Sequence, residues 1–151
     1  MKQMRLVLFS IALLVLLFGL TAIVAYAQVT PHAQAAQNSH VQASCSGNGC
    51  NGLNPQTLGC AAGAYTVQTA VFSNAFVELR YSPTCKVNWG RVWSRIGANF
   101  LSIRIQRIDG LTYTFSGGTF TYAWSAMVYA PVMKARACGG LQVIEGCTAY
   151  I

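Results

Sequence analysis

Side chains that do chemistry are scarce in this 151-residue chain, of which only 9% is charged. It has three carboxylates, Glu78, Asp109 and Glu145, and two histidines, His32 and His40. Glycoside hydrolysis needs two carboxylates facing one another across a bond. Here Asp109 and Glu145 each precede a glycine and read as turn residues, which leaves Glu78 alone inside a predicted strand. A Ser-His-Asp arrangement needs a histidine in the folded domain, and both histidines fall ahead of it. No Cys-x-x-Cys pair, the usual start of a zinc site, occurs. Runs of like charge are missing too, and with them the basic patch of a dedicated nucleic-acid binder. The expectation is therefore no enzyme, no cofactor and no metal site.

What the chain does have begins with an address. Lys2 and Arg5 form a short basic start, and an uncharged apolar run follows from Leu6 to Val24. Ala25-Tyr26-Ala27 then places small residues at the two positions a signal peptidase reads, so residues 1–27 read as a secretory signal. The alternative is a retained anchor over residues 6–27, since about 20 apolar residues span a bilayer. Under either reading the chain from Gln28 onward lies outside the cytoplasm, secreted or held at the cell surface. Membrane contact is expected only through that segment, when it is not cleaved.

Residues 28–43 (QVTPHAQAAQNSHVQA) hold no Asp, Glu, Lys or Arg and few bulky apolar groups. Such a stretch buries too little surface to offset the entropy of ordering, so it reads as a flexible linker. Residues 44–151 are the expected folded domain. Leaving out Lys2 and Arg5, eight of the ten basic groups remain against three acids, a balance of about +5. This spread-out excess favours anionic partners at long range, a cell-wall polymer or an anionic polysaccharide.

Six cysteines, Cys45, Cys50, Cys60, Cys85, Cys138 and Cys147, are an even number in an exported chain and read as three disulfides. Six cysteines permit many connectivities, and the sequence leaves the pairing open. Local spacing favours Cys45–Cys50, Cys60–Cys85 and Cys138–Cys147. Residues 44–63 (SCSGNGCNGLNPQTLGCAAG) lack any apolar period and read as a loop-rich cap.

Beyond the cap the pattern has period two. Val77, Leu79 and Tyr81 alternate with Phe76, Glu78, Arg80 and Ser82; Leu101, Ile103 and Ile105 alternate with Ser102, Arg104 and Gln106. Leu111, Tyr113 and Phe115 alternate with Thr112, Thr114 and Ser116, and Phe120, Tyr122 and Trp124 alternate with Thr119 and Thr121. One face of each strand is buried and the other wet. Ser73-Asn74, Asp109-Gly110 and Gly117-Gly118 fall between such runs, the last two as hairpin turns. The expected fold is all-β, a small disulfide-stapled sandwich or barrel with a loop-rich N-terminal cap.

The most unusual stretch is CKVNWGRVWSR, Cys85 to Arg95. On a strand, Val87, Trp89, Arg91 and Trp93 point to one side and set a guanidinium between two indoles, where cation–π contact is feasible. Two readings stay open. Either Trp89 and Trp93 fill the core while Arg91 snorkels or pairs with Glu78, or Trp89 and Trp93 form an aromatic platform for stacking sugar rings, with Arg91 and Tyr81 adding hydrogen bonds. Glu78 and Arg80 share a face, and with Arg91 they are expected to form a polar network between strands.

The stretch VELRYSPTCxxxWxRV, Val77 to Val92, resembles the signature of the YjfA-like family of secreted bacterial proteins, a domain of unknown function. CSGNGCNGLNPQTLGC at Cys45–Cys60 is similar to that family's opening, and WSAMVYAP at Trp124–Pro131 to a later segment. Asn54 stands where the family commonly has Asp. The resemblance implies export and a compact β domain, and it supplies no reaction. Members also occur attached to cytoplasmic regulatory domains through a membrane segment.

The resulting expectation is a secreted, non-enzymatic module that binds the cell envelope or an anionic glycan. A cationic effector, antimicrobial or protease-inhibiting, is the alternative, with the Cys138–Cys147 segment presented to a protein target. Self-association into a surface structure is the third reading, from the apolar C-terminal tail and sparse charge.

Overall fold

The computed structural model describes residues 42–142 and 144–151. The expected signal segment and nearly all of the expected linker lie outside the described residues. Eight strands follow a short 3₁₀ turn at Gly47–Cys50: β1 (Tyr65–Phe72), β2 (Ala75–Ser82), β3 (Val87–Ser94), β4 (Asn99–Arg107), β5 (Thr112–Phe120), β6 (Tyr122–Trp124), β7 (Ala135–Leu141) and β8 (Ile144–Cys147). They form two antiparallel four-stranded sheets, here called A (order β1-β2-β3-β6) and B (order β5-β4-β7-β8).

The sheets pack face to face because each alternating strand turns its apolar side inward. Sheet A supplies Val77, Leu79 and Val92; sheet B supplies Leu101, Ile103, Ile105, Ala137 and Leu141. The approach is close at Gly90, where an added Cβ would lie 2.8 Å from Ile103 Cγ1. The all-β sandwich is thus the observed fold. No helix among the described residues is long and apolar enough to cross a membrane.

A second core lies on the opposite, outer face of sheet A. There Val87, Trp89 and Met127 pack against Cys50, Cys60 and Cys85. The cap that covers them is tied down by main-chain bonds: Gly47 N–H to Cys85 O (2.7 Å), Gly52 N–H to Met127 O (3.0 Å) and Met127 N–H to Leu53 O (2.9 Å). The three bridges are Cys45–Cys50, Cys60–Cys85 and Cys138–Cys147. They fit a chain that folds in an oxidising compartment.

Two turn expectations are corrected. Gly117-Gly118 lies inside β5 and makes no hairpin. The register steps from Phe100↔Thr119 to Ser102↔Ser116, so two residues of β5 oppose one of β4. Both glycines have positive φ, 126° and 73°, and absorb the extra residue as a bulge. The run 119–124 is likewise not one strand. It breaks at Thr121, where the chain passes from the edge of sheet B to the edge of sheet A, and Thr121 O accepts from Ser94 N–H. Glu145 is not in a turn either. It lies on β8, where it accepts from Ser102 Oγ (2.7 Å) and pairs with Arg104.

Candidate functional site

The cap covers only part of the outer face of sheet A. Strand register fixes what is left open. Val71 pairs with Phe76, Phe76 with Trp93 and Trp93 with Tyr122, so these four form one row across all four strands. Each is substantially exposed, at 55%, 37%, 36% and 43%. The next row toward the cap is Thr69, Glu78, Arg91 and Trp124. An apolar row on the wet side of a sheet has no packing reason within the fold and is the kind of patch that marks contact with something else.

The side chains in these rows are held by bonds to one another and to their neighbours on the same face. Glu78 accepts from Arg91 Nε at 2.5 Å and from Trp93 Nε1 at 3.2 Å. Thr66 Oγ1 reaches Glu78 Oε1 at 3.5 Å and itself accepts from Arg80 at 2.6 Å, and a further Arg80 nitrogen donates to Ala64 O. The Arg91 guanidinium lies 5.0 Å from the Trp93 ring, and Arg95 lies 5.2 Å from the Phe76 ring. At the other end, Trp124 Nε1 donates to Asn54 Oδ1 at 3.2 Å. Asn54 Oδ1 also accepts from Gln56 N–H at 2.8 Å, so one oxygen both caps the Asn54-Pro55 turn and fixes an indole. Exposed Trp93 and half-buried Trp124 both have their N–H groups engaged internally, which leaves the open part of each ring for a ligand. The rings run on without a gap: Trp93 to Tyr122 is 4.8 Å between centroids, and Tyr122 to Trp124 is 5.6 Å.

The charge on this face is positive. Arg80, Arg91 and Arg95 stand against a single carboxylate, Glu78. Burial, reinforced by the charge of Arg91, pushes the Arg80 guanidinium below its ordinary pKa, and Glu78 pulls the other way. Two cations sharing one carboxylate leave an excess that an anion would relieve. All three carboxylates of the chain are in ion pairs: Glu78 with Arg91, Glu145 with Arg104 and Asp109 with Arg107. Beside the rows a groove of about 640 Å³ opens between the edges of β5 and β6, walled by Asn54, Thr114, Phe115, Phe120, Tyr122 and Trp124.

The residues singled out in the sequence are therefore divided. Trp89 is core, 2% exposed beneath the cap, while Trp93, four residues on and on the same side of β3, is surface. Arg91 joins Trp93 and Glu78. Tyr81 does not join them: it follows Val77 and Leu79 on the other face of β2 and packs edge-on against Tyr65. Expecting it beside Arg91 was an error of parity between strands. Phe76 and Arg95 were missed; a large apolar residue on the polar side of an alternating strand was the available signal for Phe76. Cys45, Cys50, Cys60 and Cys85 have all four sulfurs within 4.8 Å of one another, as two bridges in contact, a state with no thiolate left for a metal. The Cys138–Cys147 segment is a hairpin of β7 and β8 in which residues 138–141 are buried while Gln142, Ile144 and Glu145 are exposed.

Residues 48–138 match the family described as "Protein of unknown function (DUF2690)", well over half of the chain. The chain belongs to the DUF2690 family. The DUF2690 span runs from the cap to β7 and includes both tryptophan-bearing strands and the groove. No curated protein and no solved structure matches the chain.

Proposed function

We propose that the protein is an exported, non-enzymatic module that holds an anionic glycan of the cell envelope on the open half of the outer face of sheet A. One observation carries the reading: the exposed row Val71, Phe76, Trp93 and Tyr122, flanked by Arg91 and Arg95. Aromatic faces give contact area to the apolar side of a sugar ring, and guanidiniums beside them meet carboxylate or phosphate. Export is supported by the apolar segment ending in Ala25-Tyr26-Ala27 and by three disulfides. The finer likeness, to YjfA-like secreted proteins, belongs to the same proposal and adds no reaction. A binding role also suits a chain in which every carboxylate is tied to an arginine.

The test is retention of the exported protein on native cell walls and on extracted anionic polymers, at low and high salt. Retention at low salt that falls steeply as salt rises is expected, because exposed charges are screened. Trp93→Ala should weaken it. No retention at low ionic strength would sink the proposal.

A further inference from the structure

We infer that the open aromatic row and the groove beside it are two subsites of one site, and that its ligand is a glycan carrying an acidic unit next to a neutral, N-acylated one. This rests on the envelope-glycan reading and adds the order of chemistry along the ligand. Tyr122 and Trp124 belong to both halves: Tyr122 closes the row at Trp93, and both residues wall the groove.

The two halves differ in charge. Arg91 and Arg95 flank the row. The groove is lined by Gly, Asn, Thr, Ser, Ala and aromatic residues, with no charged side chain among them. An acidic unit therefore suits the row, and a second acidic unit in the groove would lose hydration with no cation among the lining residues to meet it. What the groove offers is one apolar wall, Phe115 and Phe120, and uncharged hydrogen-bonding groups from Asn54, Thr114 and Thr121.

Peptide groups add to these. Ser125 N–H donates to Gly90 O, and Ser94 N–H donates to Thr121 O, so residues 121 and 125 bond toward β3. Alternation of an antiparallel ladder then turns the N–H and C=O of Tyr122 and Trp124 away from β3, to the free edge of the sheet. A methyl-bearing amide matches that pair of features, with its methyl on the phenylalanines and its amide at the strand edge. An extended peptide matches less well. It would find only the three residues of β6, because Met127 beyond is already bonded to Gly52 and Leu53 of the cap.

The experiment is calorimetric titration of the exported protein at low salt with three tetrasaccharides: alternating uronate and N-acetylhexosamine, uronate only, and N-acetylhexosamine only. The alternating probe should bind about tenfold or more tighter than either of the others. Phe120→Ala should bring it down to the level of the uronate probe, and Trp93→Ala to that of the neutral probe. Thr121→Val, a milder change in the groove, repeats the first comparison should Phe120→Ala fail to fold. Retention on cell walls without a preference among the probes, binding to none of them included, overturns the subsite assignment and leaves the envelope reading standing. Absence of wall retention removes both. Tighter binding to anionic lipid vesicles or to an extended peptide than to any of the sugars also overturns it.

Discussion

Trp89 and Trp93 leave the same side of the same strand four residues apart, yet one is core and the other is surface. The difference lies in neither residue. It lies in what reaches over them: the disulfide-bound cap covers Trp89 and ends before Trp93. A face of a sheet has no fixed character along its length, and a segment remote in sequence decides which part becomes interior.

The largest expected effect tests that division directly. Trp89→Ala empties a site closed by Cys50, Cys60, Cys85 and Met127 and should cost about 3–5 kcal/mol, read by denaturant unfolding. Trp93→Ala should cost less, about 1–2 kcal/mol, since it is part exposed and loses only a shared hydrogen bond and its contacts with Arg91 and Tyr122, but it should lose wall retention. Equal losses of stability in the two variants would erase the distinction.

Next comes the cap itself. Replacing Cys60 and Cys85 with alanine removes the bridge that ties the cap to the turn after β2, at a cost of about 2–4 kcal/mol. Hydrogen exchange should show the loss as local. The amides of Gly47, Gly52 and Met127 should become fast while those between β4 and β7 stay protected. Uniform loss of protection would mean that cap and sandwich unfold as one unit.

How much of this was legible beforehand follows from the same comparison. Period two within a strand is a local signal, so the all-β class and the inward sides of Val77–Leu79 and Leu101–Ile105 were readable. The relation between strands is not local. Odd-numbered residues of β2 face inward and odd-numbered Trp89 and Trp93 of β3 face outward, because the turn Pro83–Lys86 sets Glu78 opposite Arg91 and Tyr81 opposite Asn88. Nothing in the alternation of either strand alone reports that offset, which is why Tyr81 was placed with Arg91. Gly117-Gly118 misled for a related reason: positive φ serves a bulge as well as a turn, and only the partner strand distinguishes them. The groove was invisible in the sequence because it is made where two sheet edges and the cap meet.

A third variant separates support from contact within the open half. Glu78→Ala leaves Arg91 and Trp93 without the carboxylate they share, and the cost expected is about 1–3 kcal/mol. Wall retention should fall with it, although Glu78 itself repels anions, because the indole and guanidinium lose their fixed positions. Tighter retention after the change would show that Glu78 acts there only as an unfavourable charge.

The smallest effect uses a carboxylate on the other sheet as the control. Glu145 is held below the usual carboxylate range, first by the Ser102 hydroxyl and then by Arg104. Its depressed folded pKa means that its stabilisation is fully present above the unfolded carboxylate value and is lost as pH falls through the folded one. Glu145→Gln should therefore cost about 0.2–1 kcal/mol at neutral pH, for a pair this near the surface, and progressively less in acid as the native carboxylate protonates. Urea unfolding at descending pH checks this, and a gap that stays constant into acid would mean that the charge of Glu145 contributes nothing. Wall retention at neutral pH should not change, since Glu145 bonds to Ser102 and Arg104 on sheet B and reaches neither the aromatic row nor the groove. Glu78 and Glu145 are both arginine-paired acids on strands, so a loss of retention confined to Glu78→Ala ties binding to the open half of sheet A and not to the general loss of an ion pair.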